Sequence, residues 1–401
     1  MSLLEPFPAL LVRGEWAEHV VSPMHDALSG EERAAILAER PYSWLHVART
    51  PDDAAEGQEV DPERLDEANA AALQRLLDAD LYERFPEPSL FVYRLRAGDH
   101  VQTGIVGEVP PVAFTDGRVL GHEGVQPERV DALGLHLSRL GARSTLVALM
   151  FRADDDVRKL VEAVTEATPL RRFGSSDLEQ TVWRVDDSEQ VTRLRERLDD
   201  LRLYITDGHH RATASVELWE QAGRPDGTGI PAVLFPDEEL RMLAFHRRIV
   251  GPLAFSADEL LARLRERVTI ERVDSQPQER GAFGLYVAGR WFRLVPTSKA
   301  GAGVASLDVS RLHDEVLEPV FGFGDAGDPG LEFVSDAVTT EELMRRVDED
   351  GGAAFTLTPP TFDQFVDVAD RGEHMPAKAT YFDPKPQSGL FLRLEDAGED
   401  V

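Results

Sequence analysis

The sequence predicts a mixed α/β fold of the α+β kind, and three observations carry that prediction. Helix-period and strand-period apolar patterns alternate along the whole chain. Two helix starts carry capping boxes, Ser29 with Glu32 and Ser256 with Glu259. The run STLVALMF (144–151) is apolar without alternation, as a buried strand is.

The elements follow in order. The helix opened by Ser29 should end before Pro41, since a proline cannot continue it. Asp61 and Pro62 read as an N-cap and first-turn proline, ahead of a helical stripe of Leu65, Ala68, Ala72, Leu73, Leu76 and Leu77. SLFVYRLR (89–96) and the run from Val101 to Val109 read as two strands around a turn at Gly98 and Asp99. A helix after Pro127 presents Val130, Leu133, Leu137 and Leu140. Behind the buried strand, a helix starts at Asp154–Asp156, where carboxylates suit the positive end of the helix dipole. A strand near 181–185, an arginine-rich amphipathic helix, the strand LRLYIT (201–206), a helix and the strand IPAVLF (230–235) complete this part.

A domain boundary is expected near Gly251–Pro252, dividing 1–250 from 251–401. Beyond it the α/β pattern continues, with helices near 308–319, 340–349 and 361–371. KAGAGVAS (299–306) reads as a flexible loop. Its glycines lack the strand, third glycine and helix of a dinucleotide fingerprint, and no P-loop pattern occurs.

Composition excludes several functions. The 401 residues carry 43 basic and 73 acidic side chains, a net charge of −30, which disfavours nucleic acid and anionic membrane as partners. Hydrophobic residues at 42% supply enough apolar surface for a folded core, so the chain is not a disordered polyelectrolyte. With no cysteine there is no disulfide, thiolate metal site or cysteine nucleophile. MSLLEPFPALLVRGEW has no basic segment followed by a long apolar run, and no apolar stretch approaches a membrane span, so a cytoplasmic location is expected.

LYITDGHHRATASVELW (203–219) is the most informative segment. An apolar strand runs into Asp207 and Gly208, and a helix begins at about His209. Asp207 is placed to cap the first turn, and Gly208 to let a ligand approach the backbone. Free N–H groups at the helix start suit phosphate. His209, His210 and Arg211 are cationic or polar groups at the positive end of a dipole, a conflict that a bound anion removes; Arg211 can hold a phosphate with two hydrogen bonds. A single histidine here is simply a surface or capping residue, but the combination points to phosphate or nucleotide. Zinc fits less well, because adjacent helical histidines point about 100° apart. No protein metal site is expected.

Three other places hold candidate chemistry. In LGHEGVQPERVDAL (120–133), His122 offers acid–base chemistry and Glu123 a general base or Mg²⁺ ligand; taken alone, the pair is ordinary loop polarity. In VVSPMHDALSGEE (20–32), Asp26 is a second carboxylate for a metal or a substrate hydroxyl, or a turn residue. In MPAKATYFDPKPQSGLFLRL (375–394), Lys378 and Lys385 can each reach a phosphate as a point charge. AFHRRIV (244–250) groups His246, Arg247 and Arg248 as a weaker anion site at a strand end.

Several of these segments together resemble one family. LYITDGHHRATAS is similar to the IADGHHR signature of domain-of-unknown-function family 1015. VVSPMHDALSGEE, RPYSWLHVART, the GHE loop, the DGHHR turn and MPAKATYFDPKPQSGL occur in that family's order over nearly the whole chain. The resemblance implies kinship with free-serine kinases that use ADP and, more distantly, with the ParB and sulfiredoxin superfamily. It therefore implies a ParB/sulfiredoxin-like nucleotide-binding core with additional α/β elements. Residues 1–250 would carry the HE loop and the DGHHR turn, and the tail of 251–401 would return to the site.

By the same resemblance Asp207, Gly208, His209, His210 and Arg211 form a phosphate cradle, and His122 and Glu123 match the family's HE pair. Lys378 and Lys385 match its tail lysines. Met24, Val125, Ala132 and Ala379 stand where the family carries other residues. The implied function is phosphoryl transfer to a small hydroxylated metabolite, free serine foremost, or phosphoserine processing in reverse. ADP or ATP with Mg²⁺ would serve as donor. The alternatives are a non-catalytic nucleotide-binding regulator and a metabolite-binding protein.

Overall fold

The computed structural model describes residues 2–53, 60–85, 87–175, 177–324 and 327–395, with the Asp26 side chain outside the described atoms. The chain forms two compact units, 1–120 with 125–240 and 384–401, and 121–124 with 241–383. This division differs from a single boundary near Gly251–Pro252, because the last residues supply a strand to the first unit.

In the first unit the strands are β1 (Leu10–Val12), β2 (Tyr82–Arg84), β3 (Leu90–Ala97), β4 (His100–Val109), β5 (Val119–Leu120) and β6 (Ala142–Arg143). They continue as β7 (Val147–Phe151), β8 (Arg171–Gly174), β9 (Glu179–Val185), β10 (Leu203–Asp207) and β11 (Ile230–Pro236). The helices are α1 (Ala17–Val20), α2 (Gly30–Glu39), α3 (Pro62–Asp78) and α4 (Val112–Thr115). After them come α5 (Pro127–Leu140), α6 (Asp155–Thr165), α7 (Ser188–Asp199) and α8 (His209–Gln221). Local chemistry starts them where expected. The Ser29–Glu32 box opens α2, Asp61 caps α3 ahead of Pro62, and Asp154 accepts from the amides of Asp156 and Val157.

Eight strands form a mixed sheet in the order β5-β10-β7-β11-β4-β3-β9-β8, in which β7 and β11 run parallel and β10 is antiparallel to β7. Alternation along β3 sends side chains to two different layers. Leu90 and Val92 join a core under α6 and α7, with Val157, Val164, Leu194 and Leu198. Phe91 faces the other way and meets Phe7 at 5.9 Å and Phe391 at 5.4 Å between ring centroids. Phe391 belongs to the C-terminal strand (Phe391–Leu394), which pairs with β1 and β6 in a four-stranded sheet. Each such buried ring contributes about 2–3 kcal/mol, which ties the tail to the first unit.

The second unit holds β12 (Met242–Leu243), β13 (Phe245–Ile249), β14 (Val268–Val273), β15 (Phe283–Val287), β16 (Arg290–Pro296), β17 (Leu331–Ser335), β18 (Ala353–Thr356) and β19 (Tyr381–Phe382). Its helices are α9 (Ala257–Leu264), opened by the Ser256–Glu259 box, α10 (Asp308–Leu312), α11 (Thr340–Asp350) and α12 (Phe362–Asp370). An antiparallel sheet in the order β14-β16-β15-β18-β13-β17 buries Tyr286, Trp291, Val334 and Ala354 against Leu343 and Val347 of α11. A π-helix, His313–Phe321, follows α10 and contains Pro319.

Two expectations need correction. The buried strand is Val147–Phe151 rather than 144–151, because Ser144–Leu146 turn their polar groups to other partners. The 299–306 stretch is not simply loop: Gly303–Ser306 form a 3₁₀ turn, and the amides of Gly303 and Val304 donate to Asp367 and Glu373.

Candidate functional site

The β10–α8 turn is built from a bulge, a left-handed glycine and an ion cluster. The register of β10 against β7 slips between Ile205 and Asp207, which re-aims Asp207. Gly208 then adopts φ +100°, a conformation that a residue with a Cβ rarely takes. Gly208, not Asp207, is the N-cap position, and it brings no side chain of its own to cap α8. The expected capping role of Asp207 is therefore wrong.

Its carboxylate instead holds two cations. Lys385 Nζ lies 2.6 Å from Oδ1, and Arg211 Nη2 donates to Oδ2 at 2.7 Å. Burial alone would raise the Asp207 pKa; attraction to Lys385 and Arg211, with their hydrogen bonds, outweighs it and pulls the value down to about 2. Arg211 Nη2 also donates to the Leu146 carbonyl at 3.2 Å. Its buried Nε has no hydrogen-bond partner among the described residues. The guanidinium folds over Gly208, where a Cβ would stand 2.7 Å from Nη2. Glycine here makes room for Arg211, where close approach of a ligand was expected.

Lys385 is positioned by a tail stitched along the first unit. The Pro384 carbonyl accepts from Gln102 at 3.0 Å, and the Gln387 side chain from Gln180 at 3.0 Å. Ser388 exchanges backbone hydrogen bonds with Ser22 and shares a 2.8 Å hydroxyl contact with Thr145. Gly389 N–H donates to Ser144 Oγ at 2.7 Å. Segments around residues 22, 144–146, 207–211 and 385–389 are thus neighbours in one unit.

The two histidines differ. His209 is buried. His210 Nε2 accepts from the Gln126 amide at 3.0 Å, which requires the unprotonated nitrogen. Burial lowers the His210 pKa, and Arg129 and Arg211 lower it further. The positive charge at this turn comes from Arg211 and Lys385, with the start of α8 adding the dipole's positive end. Arg211 and Lys385 side by side, with an orphaned guanidinium N–H on Arg211, fit an anion. Asp207 does not fit a divalent cation, since both its oxygens already accept from cations.

Of the other nominated residues, three belong to the second unit. His122 belongs to the second unit, buried 4.5 Å from the Phe365 ring, with Thr380 Oγ1 at 3.4 Å from Nε2. The solvated loop setting that was the alternative for it is not what the structure shows; these contacts come from distant α12 and the segment before β19. Glu123 is exposed in the same short segment. Lys378, also in the second unit, is exposed at φ +54° with Nζ 5.4 Å from the Phe245 ring centroid. The Asp26 side chain lies outside the described atoms. Its neighbour His25 pairs with Asp53 at 2.9 Å, which Arg33 also reaches at 2.6 Å. Met24 and Ala379 are buried.

His246, Arg247 and Arg248 lie within β13 rather than at its end, and all are buried. The Arg247 guanidinium donates to the carbonyls of Phe245, Ala377 and Lys378, and burial pulls its pKa down to about 10. Arg248 binds Glu332 and Asp350. Most of these donors are engaged within the unit, although the buried Arg248 Nε has no hydrogen-bond partner among the described residues.

Sequence reasoning missed Ser144, Thr145 and Ser388, which hold the tail; only the run of small polar residues hinted at them. It also singled out none of His313, Asp314 and Glu318, whose ligand atoms lie within 4.8 Å of one another on the π-helix. No helix among the described residues is long and apolar enough to cross a membrane.

Solved structures similar to this chain include a free serine kinase mutant in complex with ADP, 15% identical at a TM-score of 0.37, covering 73% of this chain and 94% of that one. SbnI with a C-terminal truncation, from Staphylococcus aureus, is 13% identical at a TM-score of 0.41, covering 74% and 91%. A conserved hypothetical protein from Pyrococcus furiosus is 15% identical at 0.35, covering 75% and 99%. No curated protein matches the chain. The sequence pattern of the family described as "Protein of unknown function (DUF1015)" matches residues 4–310, and the chain belongs to that family.

Proposed function

We propose that the first unit binds the phosphates of a nucleotide at the start of α8 and transfers phosphoryl to a small hydroxylated metabolite, with free serine the first acceptor to test. One observation carries this reading: Lys385 and Arg211 converge on Asp207 at the start of α8. Phosphoryl transfer depends mainly on positioning and charge neutralisation, which a lysine point charge and an arginine fork supply. The family resemblance of the DGHHR and YFDPK motifs supports the same chemistry. Asp26 is the carboxylate proposed to take the acceptor hydroxyl's proton.

A second reading, nucleotide binding without turnover as in a regulatory protein, is favoured by the engagement of both cations with Asp207. The test incubates the full chain with Mg²⁺, ADP or ATP, and serine, and measures O-phosphoserine by mass. Phosphoryl transfer predicts serine-dependent product that falls about 100-fold or more in Asp26→Asn and is lost in Arg211→Gln. Glu123→Gln tests the other nominated carboxylate. Nucleotide binding with no product across a panel of hydroxylated metabolites selects the regulatory reading. Absence of nucleotide binding contradicts both.

A further inference from the structure

A groove lies at the opposite end of the large sheet from the DGHHR turn. Because β10 is antiparallel to β7, Asp207 sits beside Ala148, while Phe151 marks the far end of β7. There the parallel strands β7 and β11 finish side by side, Phe151 opposite Pro236. The carboxyl ends of adjacent parallel strands are where open α/β sheets place ligands. Between this end of the sheet and α6 is a small groove open to solvent, with room of about 60 Å³.

Its walls are of two kinds. Ile105 and Leu234 of the sheet and Val161 of α6 form an apolar side. Arg94, Thr103 and Glu239 form a polar side. Thr103 connects the two charges: its amide donates to Glu239 Oε2 at 2.6 Å, and its Oγ1 accepts from Arg94 Nε at 3.1 Å. The Arg94 guanidinium lies 4.9 Å from the Trp183 ring centroid, and no carboxylate comes within 4.0 Å of it among the described residues. Arg158 pairs with Asp155 and Glu162, and Asp154 with Arg197, while Glu238 adds a second carboxylate beside Glu239 at the groove. Burial disfavours the charged form of both groups, lowering the pKa of Arg94 and raising that of Glu239. Two opposite, partly desolvated charges are thus held side by side without an ion pair between them.

We propose that this groove binds an aliphatic α-amino acid as its zwitterion: carboxylate on Arg94, ammonium on Glu239, and side chain against Ile105, Leu234 and Val161. A guanidinium stacked on an aromatic ring offers its remaining amino groups to a carboxylate in its plane. An ammonium beside Glu239 would restore the stabilisation that burial removes. Neither a simple carboxylate nor a simple amine satisfies both sides.

The test uses leucine as probe on the full chain, by titration calorimetry and thermal denaturation. Isovalerate and isoamylamine supply the carboxylate and the ammonium separately. Leucine should raise the melting temperature and bind at least tenfold more tightly than either half. Arg94→Gln and Glu239→Gln should each weaken it at least tenfold, and Val161→Phe, which fills the apolar side, should abolish binding while leaving the far-ultraviolet spectrum unchanged. Lys385→Met should leave leucine affinity intact. No leucine binding, equal binding of either half, or binding that survives Val161→Phe overturns the proposal. Loss of leucine binding in Lys385→Met would also overturn it, by moving the amino acid to the other end of the sheet.

Discussion

Replacing Asp207 by asparagine will lower stability at neutral pH by about 3 kcal/mol, because it leaves two partly buried cations without their shared counter-charge. The side chains of Asp207, Lys385 and Arg211 are only 12%, 18% and 20% exposed, so water replaces little of the lost interaction. The substitution also changes the acid response. The folded Asp207 pKa is lowered from 3.8 to about 2. A lowered carboxylate contributes stability that is present above its unfolded value and lost as pH falls through the folded one. The difference between Asp207→Asn and the unchanged protein is therefore full above about pH 4 and shrinks towards pH 2. Urea denaturation across this range measures it. A constant difference from pH 7 to pH 2 would mean that the carboxylate's charge is not what the cations need.

Gly389→Ala will cost a similar amount, about 3 kcal/mol, by a different route. Gly389 has φ +87°, and a Cβ there would stand 2.8 Å from Trp44 Cβ and 3.3 Å from the Val20 carbonyl. Left-handed backbone costs an alanine about 1–2 kcal/mol, and displacing a buried tryptophan adds about 1–3. Gly98→Ala is the control, since Gly98 has φ +58° with nothing within 4 Å of its Cβ position. It should show the backbone cost alone. Gly389 also donates to Ser144 Oγ and accepts from the Tyr82 hydroxyl at 2.8 Å. Shifting it loosens the tail that positions Lys385, so nucleotide affinity should fall in Gly389→Ala and hold in Gly98→Ala.

Much of the fold was legible because its signals are local. The boxes at Ser29 and Ser256 and the cap at Asp61 involve residues two or three apart, and all three helices start there. The strand and helix around the DGHHR turn were legible for the same reason. The role of Asp207 was not. Whether a carboxylate caps a helix depends on which residue takes the cap position, and the bulge opposite Ala148 and the left-handed Gly208 moved that position by one. A bulge is a property of two paired strands and leaves no mark in one. Lys385 could be nominated from its motif, yet its partner Asp207 comes from another segment, brought close by long-range contacts of the tail such as those to Gln102, Gln180 and Ser144. The burial of His122 was hidden for the converse reason. A His-Glu pair in a glycine-bearing loop looks solvated, and the Phe365 ring that covers the histidine is far along the chain.

The net charge of −30 takes on meaning at this turn. A protein so acidic can hold a polyanion only where local cations and a helix dipole reverse the field. The most direct measurement of that claim titrates ADP calorimetrically into the full chain and into Lys385→Met and Arg211→Gln. The account predicts binding to the unchanged protein and a Kd at least tenfold higher in each variant, about 1.4 kcal/mol or more. Equal affinity in all three proteins, or no binding to any, would contradict it.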